Sequence, residues 1–224
     1  MENPWLQLSD NPPFILPCDR ESIDVFNSRQ RSTPFEIILD EMPSPYIGDP
    51  ESPVVFLNLN PGYSADESNS LRISRFREIA RANLRHQFYD YPFYVLDQSL
   101  QGTPSGYEWF SQKFNPLMLA TRMNAQDLSK KIFLVEYFPY RSKKYKRNNN
   151  VLSSQKYTIS LIEKAIARDA VIIIMRSESL WFNAVSNLEK YLNCYTLRNP
   201  QNVTISGGNL CAEGFSSVLK SLSL

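Results

Sequence analysis

Asn60 is the residue from which chemistry is most readily argued. It closes the run Val54-Val55-Phe56-Leu57-Asn58-Leu59 and is followed by Pro61 and Gly62. An apolar run of this kind reads as a strand, Val54–Leu59, buried on both faces. Pro61 ends its ladder and Gly62 permits a sharp exit. Asn60 therefore stands at a strand's carboxyl end, the edge where open α/β sheets bind ligands. Asn199-Pro200 repeats the pattern after a short run, Cys194–Leu197, and Pro139-Tyr140-Arg141 closes another at Lys131–Pro139. Each alone is ordinary turn chemistry. At matching edges of one sheet, the three indicate a shared cleft.

Cations and aromatics accompany these edges. The loop after the second strand carries Arg141, Lys143, Lys144, Lys146 and Arg147 around Tyr140 and Tyr145. Such interleaving suits phosphate contact together with base stacking. Arg77, Arg81 and Arg85 recur every four residues, with Arg72 and Arg75 nearby, as a solvated helix face or a phosphate contact. Tyr63 is a surface aromatic or a pocket wall. Tyr137 and Phe138 alternate faces, so one belongs to the core and the other is free to stack on a base. His86 is expected at the surface or on a phosphate, and the aromatics of Phe88–Tyr94 are expected to pack locally.

Composition removes several classes of mechanism. With one histidine in 224 residues, a Ser-His-Asp or Cys-His triad would have to use His86. Cys18, Cys194 and Cys211 lack metal-like spacing, so no zinc site is expected, and their odd number fits a reduced cytoplasmic setting. No run approaches eighteen apolar residues and no secretory signal is visible, so no membrane partner is expected. A net charge of +1 leaves any affinity for nucleic acid to local clustering. No Gly-rich phosphate loop or Gly-x-Ser-x-Gly elbow is present.

The elements that must position these residues alternate. Strands are expected at Val54–Leu59, Lys131–Pro139, Ala170–Met175 and Cys194–Leu197. Helices are expected at Leu71–Gln87, Tyr107–Phe114, Pro116–Ala120, from Ser153 or Ser154 to Arg168, at Glu178–Leu192 behind Ser177, and at Leu210–Leu222. This pattern predicts an α/β protein, a three-layer α/β/α arrangement around a four-stranded parallel sheet. One domain spans residues 1–224, with 1–50 an irregular wrap holding a short helix at Glu21–Gln30. Residues 64–130 form a helical and loop insertion.

Asn58-Leu59-Asn60-Pro61-Gly62 resembles the first active-site motif of the uracil-DNA glycosylase superfamily, whose mismatch-specific branch has Gly-Ile-Asn-Pro-Gly. Asn199-Pro200-Gln201-Asn202-Val203-Thr204-Ile205-Ser206 resembles its second motif. The likeness implies a uracil-DNA glycosylase-like fold and a monomeric DNA N-glycosylase that works without a cofactor. The absence of a cysteine quartet sets the chain apart from the iron–sulfur branches.

By the same likeness Asn60 positions the attacking water, and Asn199 contacts the departing base. Val203 or Ile205 wedges into the minor groove, with Gln201, Asn202, Thr204 and Ser206 on DNA. Asn58 stands where the family has Gly. Glu136 lies near the position of an Asn that reads uracil. An ionised carboxylate only accepts hydrogen bonds and matches the N4 amino group of cytosine. The expected activity is therefore excision of a modified or hypermodified cytosine, a kind of base found in some phage genomes and hence consistent with antiviral defence. Asn58, Tyr63, Glu136 and Phe138 would line the base pocket, and the DNA would be a duplex with a flipped base or a single strand. The alternatives are uracil or mismatch repair, and a catalytically silent DNA-binding module.

Overall fold

The computed structural model describes residues 1–63, 74–101, 106–147 and 151–223. Leu71, Arg72 and Ile73 of the expected first long helix, and residues 64–70 of the loop before it, lie outside the described residues.

Four parallel strands form the centre: β2 (Val54–Asn58), β3 (Ile132–Glu136), β4 (Val171–Ile174) and β5 (Cys194–Thr196). The sheet has five strands rather than the expected four. β1 (Tyr46–Gly48) adds antiparallel to the outer edge of β3, giving the order β1-β3-β2-β4-β5. All five residues of β2 and of β3 are buried, as expected for parallel strands covered on both faces.

The chain moves from β2 outward to β3, then returns past β2 to β4. Parallel crossovers are right-handed, so this reversal puts the two connections on opposite faces and opens a crevice beside β2. The ends of β2 and β4 meet at that crevice, and Glu136 lies one strand away.

Around the sheet pack α1 (Arg20–Gln30), α2 (Ser74–Leu84), α3 (Tyr107–Thr121), α4 (Ala125–Ser129), α5 (Gln155–Ala167), α6 (Glu178–Ala184) and α7 (Ala212–Ser223). Two expected helices, broken before Pro116, are one continuous α3 with Pro116 inside it. The helix expected over Glu178–Leu192 ends at Ala184; Val185 turns extended, and a 3-10 turn follows at Leu188–Lys190. No described helix is long and apolar enough to cross a membrane.

The first fifty residues do more than wrap. Trp5, Phe14, Ile15 and Leu16 are core residues, each contributing about 1.5–3 kcal/mol by leaving water. Asp19 is fully buried and accepts from Tyr140 Oη at 2.9 Å and from the Ser154 backbone N–H at 3.0 Å. It thereby ties α1 to the loop after β3 and to the start of α5. Asn83 of α2 completes the free edge of β1, accepting from Gly48 N–H and donating to the Tyr46 carbonyl. Gly48 sits at φ +100°, and a Cβ there would lie 2.6 Å from the Ile132 carbonyl oxygen.

Candidate functional site

A cavity of about 390 Å³ lies at the carboxyl edge of β2, β3 and β4. Its polar residues come from three consecutive sheet neighbours. Asn58 and Asn60 come from the end of β2, Glu136 from the end of β3, and Arg176 from just beyond β4. Arg141, Ser142 and Lys143 enter from the loop after β3. The aromatic wall is Phe76 of α2, Tyr94, Trp109 and Phe110 of α3, and Tyr145.

Register makes Asn58 and Glu136 partners. They are opposite one another in the parallel β2–β3 pair, so their side chains leave the sheet together. Asn58 Nδ2 donates to Glu136 Oε1 at 3.0 Å. The two residues are only 5% and 3% exposed, yet among the described residues Asn58 Oδ1 and Glu136 Oε2 have no hydrogen-bond partner. A buried polar atom left unpaired costs about 1–3 kcal/mol, so a polar group that reached both oxygens would be favoured there. The backbone beneath is fixed: the Asn58 carbonyl accepts from the Trp181 indole at 3.0 Å and from Tyr137 N–H at 3.2 Å.

Burial pushes the Glu136 carboxyl up to about 8. The hydrogen bond from Asn58 and the charges of Arg176 and Arg141 oppose the shift without cancelling it. Glu136 is thus mostly the neutral acid at pH 7, which corrects the expectation of an ionised acceptor. A neutral carboxyl donates as well as accepts. It can serve O4 of uracil as readily as the amino group of cytosine, so its charge does not separate the two bases.

Asn60 is held by its amide nitrogen, which donates to Ser142 Oγ and to the Pro61 carbonyl, each at 3.2 Å. Among the described residues nothing donates to its Oδ1. Arg141 is part scaffold and part wall, donating from Nε to the Met42 carbonyl at 3.1 Å and from Nη1 to the Gly62 carbonyl at 2.9 Å.

Several expected site residues lie elsewhere. Asn199 is exposed and does not line the cavity; its Oδ1 accepts from Gln201 N–H and Asn202 N–H in an Asx turn. Asn209 clamps that loop, accepting from Asn199 N–H and donating to the carbonyls of Asn202 and Thr204. Val203 and Ile205 are fully buried, so neither presents a wedge to a groove. Gln201 and Asn202 are exposed, Thr204 and Ser206 half-buried. Thr204 Oγ1 donates to Asn202 Oδ1, which also receives Lys113 Nζ.

Phe138 is buried and half-buried Tyr137 packs edge-on against Trp181, so neither aromatic lines the cavity. Tyr63 is half-buried outside it. Of the basic loop, Lys143 faces the cavity, whereas Lys144 is exposed and Lys146 donates to Gln30 Oε1. His86 is half-buried rather than exposed. It stacks on Tyr46 with ring centroids 4.8 Å apart and shares a 2.7 Å hydrogen bond with Tyr157 Oη. In the arginine stripe, Arg75 pairs with Asp97 and Arg81 with Asp10, so these charges are already partnered within the chain.

Arg176 escapes the sequence reading because it falls between an apolar run and a serine expected as a helix cap. Trp109 and Phe110 escape because nothing in their spacing says which face of α3 meets the sheet edge. Among the described residues no group of three or more His, Cys, Asp or Glu side chains is placed to hold a metal.

Fold and cavity define an α/β protein with a polar cavity at the switch point of its sheet. Comparison of the chain with protein-family models, with curated proteins and with solved structures finds no match.

Proposed function

We propose that this protein is a DNA N-glycosylase related to the uracil-DNA glycosylase superfamily, and that it removes a substituted cytosine to leave an abasic site. The observation that carries the reading is Asn60 at the rim of a cavity floored by the unsatisfied Asn58–Glu136 pair. A base inside a duplex is reached only after flipping into such a pocket.

Size allows a substituted base. Cytosine has eight non-hydrogen atoms; allowing each a water molecule's ~30 Å³ gives at most about 240 Å³. The cavity of about 390 Å³ leaves room for a substituent on the ring.

The reaction breaks the bond from C1′ to the base nitrogen and one O–H bond of a water, forms a bond from C1′ to that water's oxygen, and ends with the water's proton on the departing base. Asn60 Oδ1 holds that water, its amide being fixed by Ser142; an amide orients water rather than deprotonating it. Arg176, Arg141 and Lys143 favour the negative charge that develops on the departing base. The aromatic wall stacks on the ring.

One observation favours a second reading, the catalytically silent DNA-binding module. Asn199, which the likeness puts on the departing base, is bound up in its own turn. Mass spectrometry of material released from duplexes containing uracil, 5-hydroxymethylcytosine or glucosylated cytosine separates the readings. Free base in the supernatant supports the glycosylase and names its substrate. Binding of every duplex with no release supports the silent module.

A further inference from the structure

The half-satisfied pair on the cavity floor says more than that a ligand binds. Asn58 Nδ2 and Glu136 Oε1 satisfy one another, which leaves Asn58 Oδ1 and Glu136 Oε2 flanking that bond with no partner among the described residues. An amide oxygen can only accept. Oε2 accepts when the acid is ionised and donates when it carries the proton. The two free atoms are either two acceptors or an acceptor beside a donor, and the proton on Glu136 decides which.

We infer that Asn58 and Glu136 act as one unit that reads a ring edge with an N–H beside an acceptor, Glu136 acting as the neutral acid. The ligand N–H donates to Asn58 Oδ1, and Glu136 Oε2–H donates to the ligand's acceptor. The 4-amino group and N3 of cytosine form such an edge, and so do N3–H and O4 of uracil. The inference rests on the nucleobase reading of the cavity but not on bond cleavage. It makes ring binding depend on retention of a proton.

The charged and titratable groups that line the cavity with Glu136 come from several elements. Arg176 lies beyond β4, Arg141 and Lys143 in the loop after β3, and the Tyr94 and Tyr145 phenols in the wall. The two guanidiniums favour the ionised carboxylate, yet burial outweighs them. Burial also raises Tyr94, and it pushes Tyr145 up to about 12, so neither phenol titrates where Glu136 does.

The test is ligand-observed NMR titration of the full chain with 1-methylcytosine, whose ring carries no titrating proton between pH 6.5 and 9.5. Affinity is expected to fall about thirty-fold from pH 7 to pH 9.5, following the neutral fraction of a group near 8. Glu136→Gln places a permanent N–H donor where Oε2–H stood. It is expected to bind within threefold of wild type at pH 7 and to lose the pH dependence. 1-Methyluracil is expected to bind, and 1,3-dimethyluracil, which lacks the N–H, at least about tenfold more weakly.

Wild-type affinity that stays flat with pH, or equal affinity for 1,3-dimethyluracil, would overturn the inference without recourse to any variant. So would the absence of binding by either monomethyl ring. Ring binding that follows pH, with no base released from DNA, would refute cleavage and leave the recognition unit standing. Release of base with pH-flat ring binding would do the reverse.

Discussion

Asn58 and Glu136 face each other in register at the ends of β2 and β3, joined by one 3.0 Å hydrogen bond that leaves on each an oxygen unpaired among the described residues. This relationship has a cost that pH reveals. An unfolded Glu loses its proton near the ordinary 4.5, whereas folded Glu136 holds it to about 8. Between those values the folded state binds more protons, so stability falls as pH rises, by at most ~1.4 kcal/mol per pH unit from this group. Thermal unfolding of wild type is expected to show a lower Tm at pH 8 than at pH 5. Glu136→Gln is expected to flatten that part of the profile.

Asn60 should matter to rate and little to binding. On the proposed function its amide is positioned by Ser142 and its oxygen holds the water, so Asn60→Ala removes water orientation together with the amide's own bonds to Ser142 and Pro61. Base release is expected to drop about 10²-fold or more, the scale of lost positioning. DNA affinity in a gel-shift titration should stay within twofold of wild type.

Asn199 should behave in the opposite way. Its side chain organises the turn over residues 199–202 rather than the cavity. Asn199→Ala is expected to cost about 1 kcal/mol in urea unfolding, the net worth of such hydrogen bonds. Base release at a temperature well below Tm should change by less than threefold.

Arg176 is the cation the sequence reading missed, half-buried beside Glu136 at the cavity. Arg176→Met keeps most of its apolar stem and removes the charge. Loss of a charge-assisted hydrogen bond to the flipped nucleotide is worth ~1.5–3 kcal/mol, so affinity or rate should fall about ten- to a hundredfold. If Arg176 meets a phosphate, the slope of log affinity against log salt should shrink by about one.

Sequence pattern resolves what is periodic and local. β2, β3 and β4 are continuous apolar runs ended by polar or proline residues, and α1 and α7 have clear bounds, so these elements were legible. β1 was not, because three residues carry no periodicity and Tyr46–Gly48 is a strand only by pairing with Val135–Phe133, far along the chain. Pro116 reads as a break yet sits inside α3, where packing overrides local preference.

At the site, Asn58, Asn60, Glu136, Arg141 and Lys143 were legible as strand-end or loop residues, and all five line one cavity. Their pairing was not, since the Asn58–Glu136 bond depends on register between strands 78 residues apart. Asn199 and Val203 misled for a physical reason. Turn hydrogen bonds and burial claimed side chains that the motif likeness put on DNA. Glu136 lines the cavity, but its ionisation is set by a burial that only the folded chain reveals.

The central claim is that this cavity hydrolyses an N-glycosidic bond with Asn60 holding the water. The most direct measurement is alkaline cleavage of end-labelled duplexes carrying one 5-hydroxymethylcytosine, glucosylated cytosine, uracil or ordinary cytosine, after incubation with wild type or Asn60→Ala. Strand scission at a substituted cytosine by wild type, lost in Asn60→Ala and absent from ordinary cytosine, is the expected result. Intact strands for every base, at enzyme concentrations that saturate DNA binding, would contradict it.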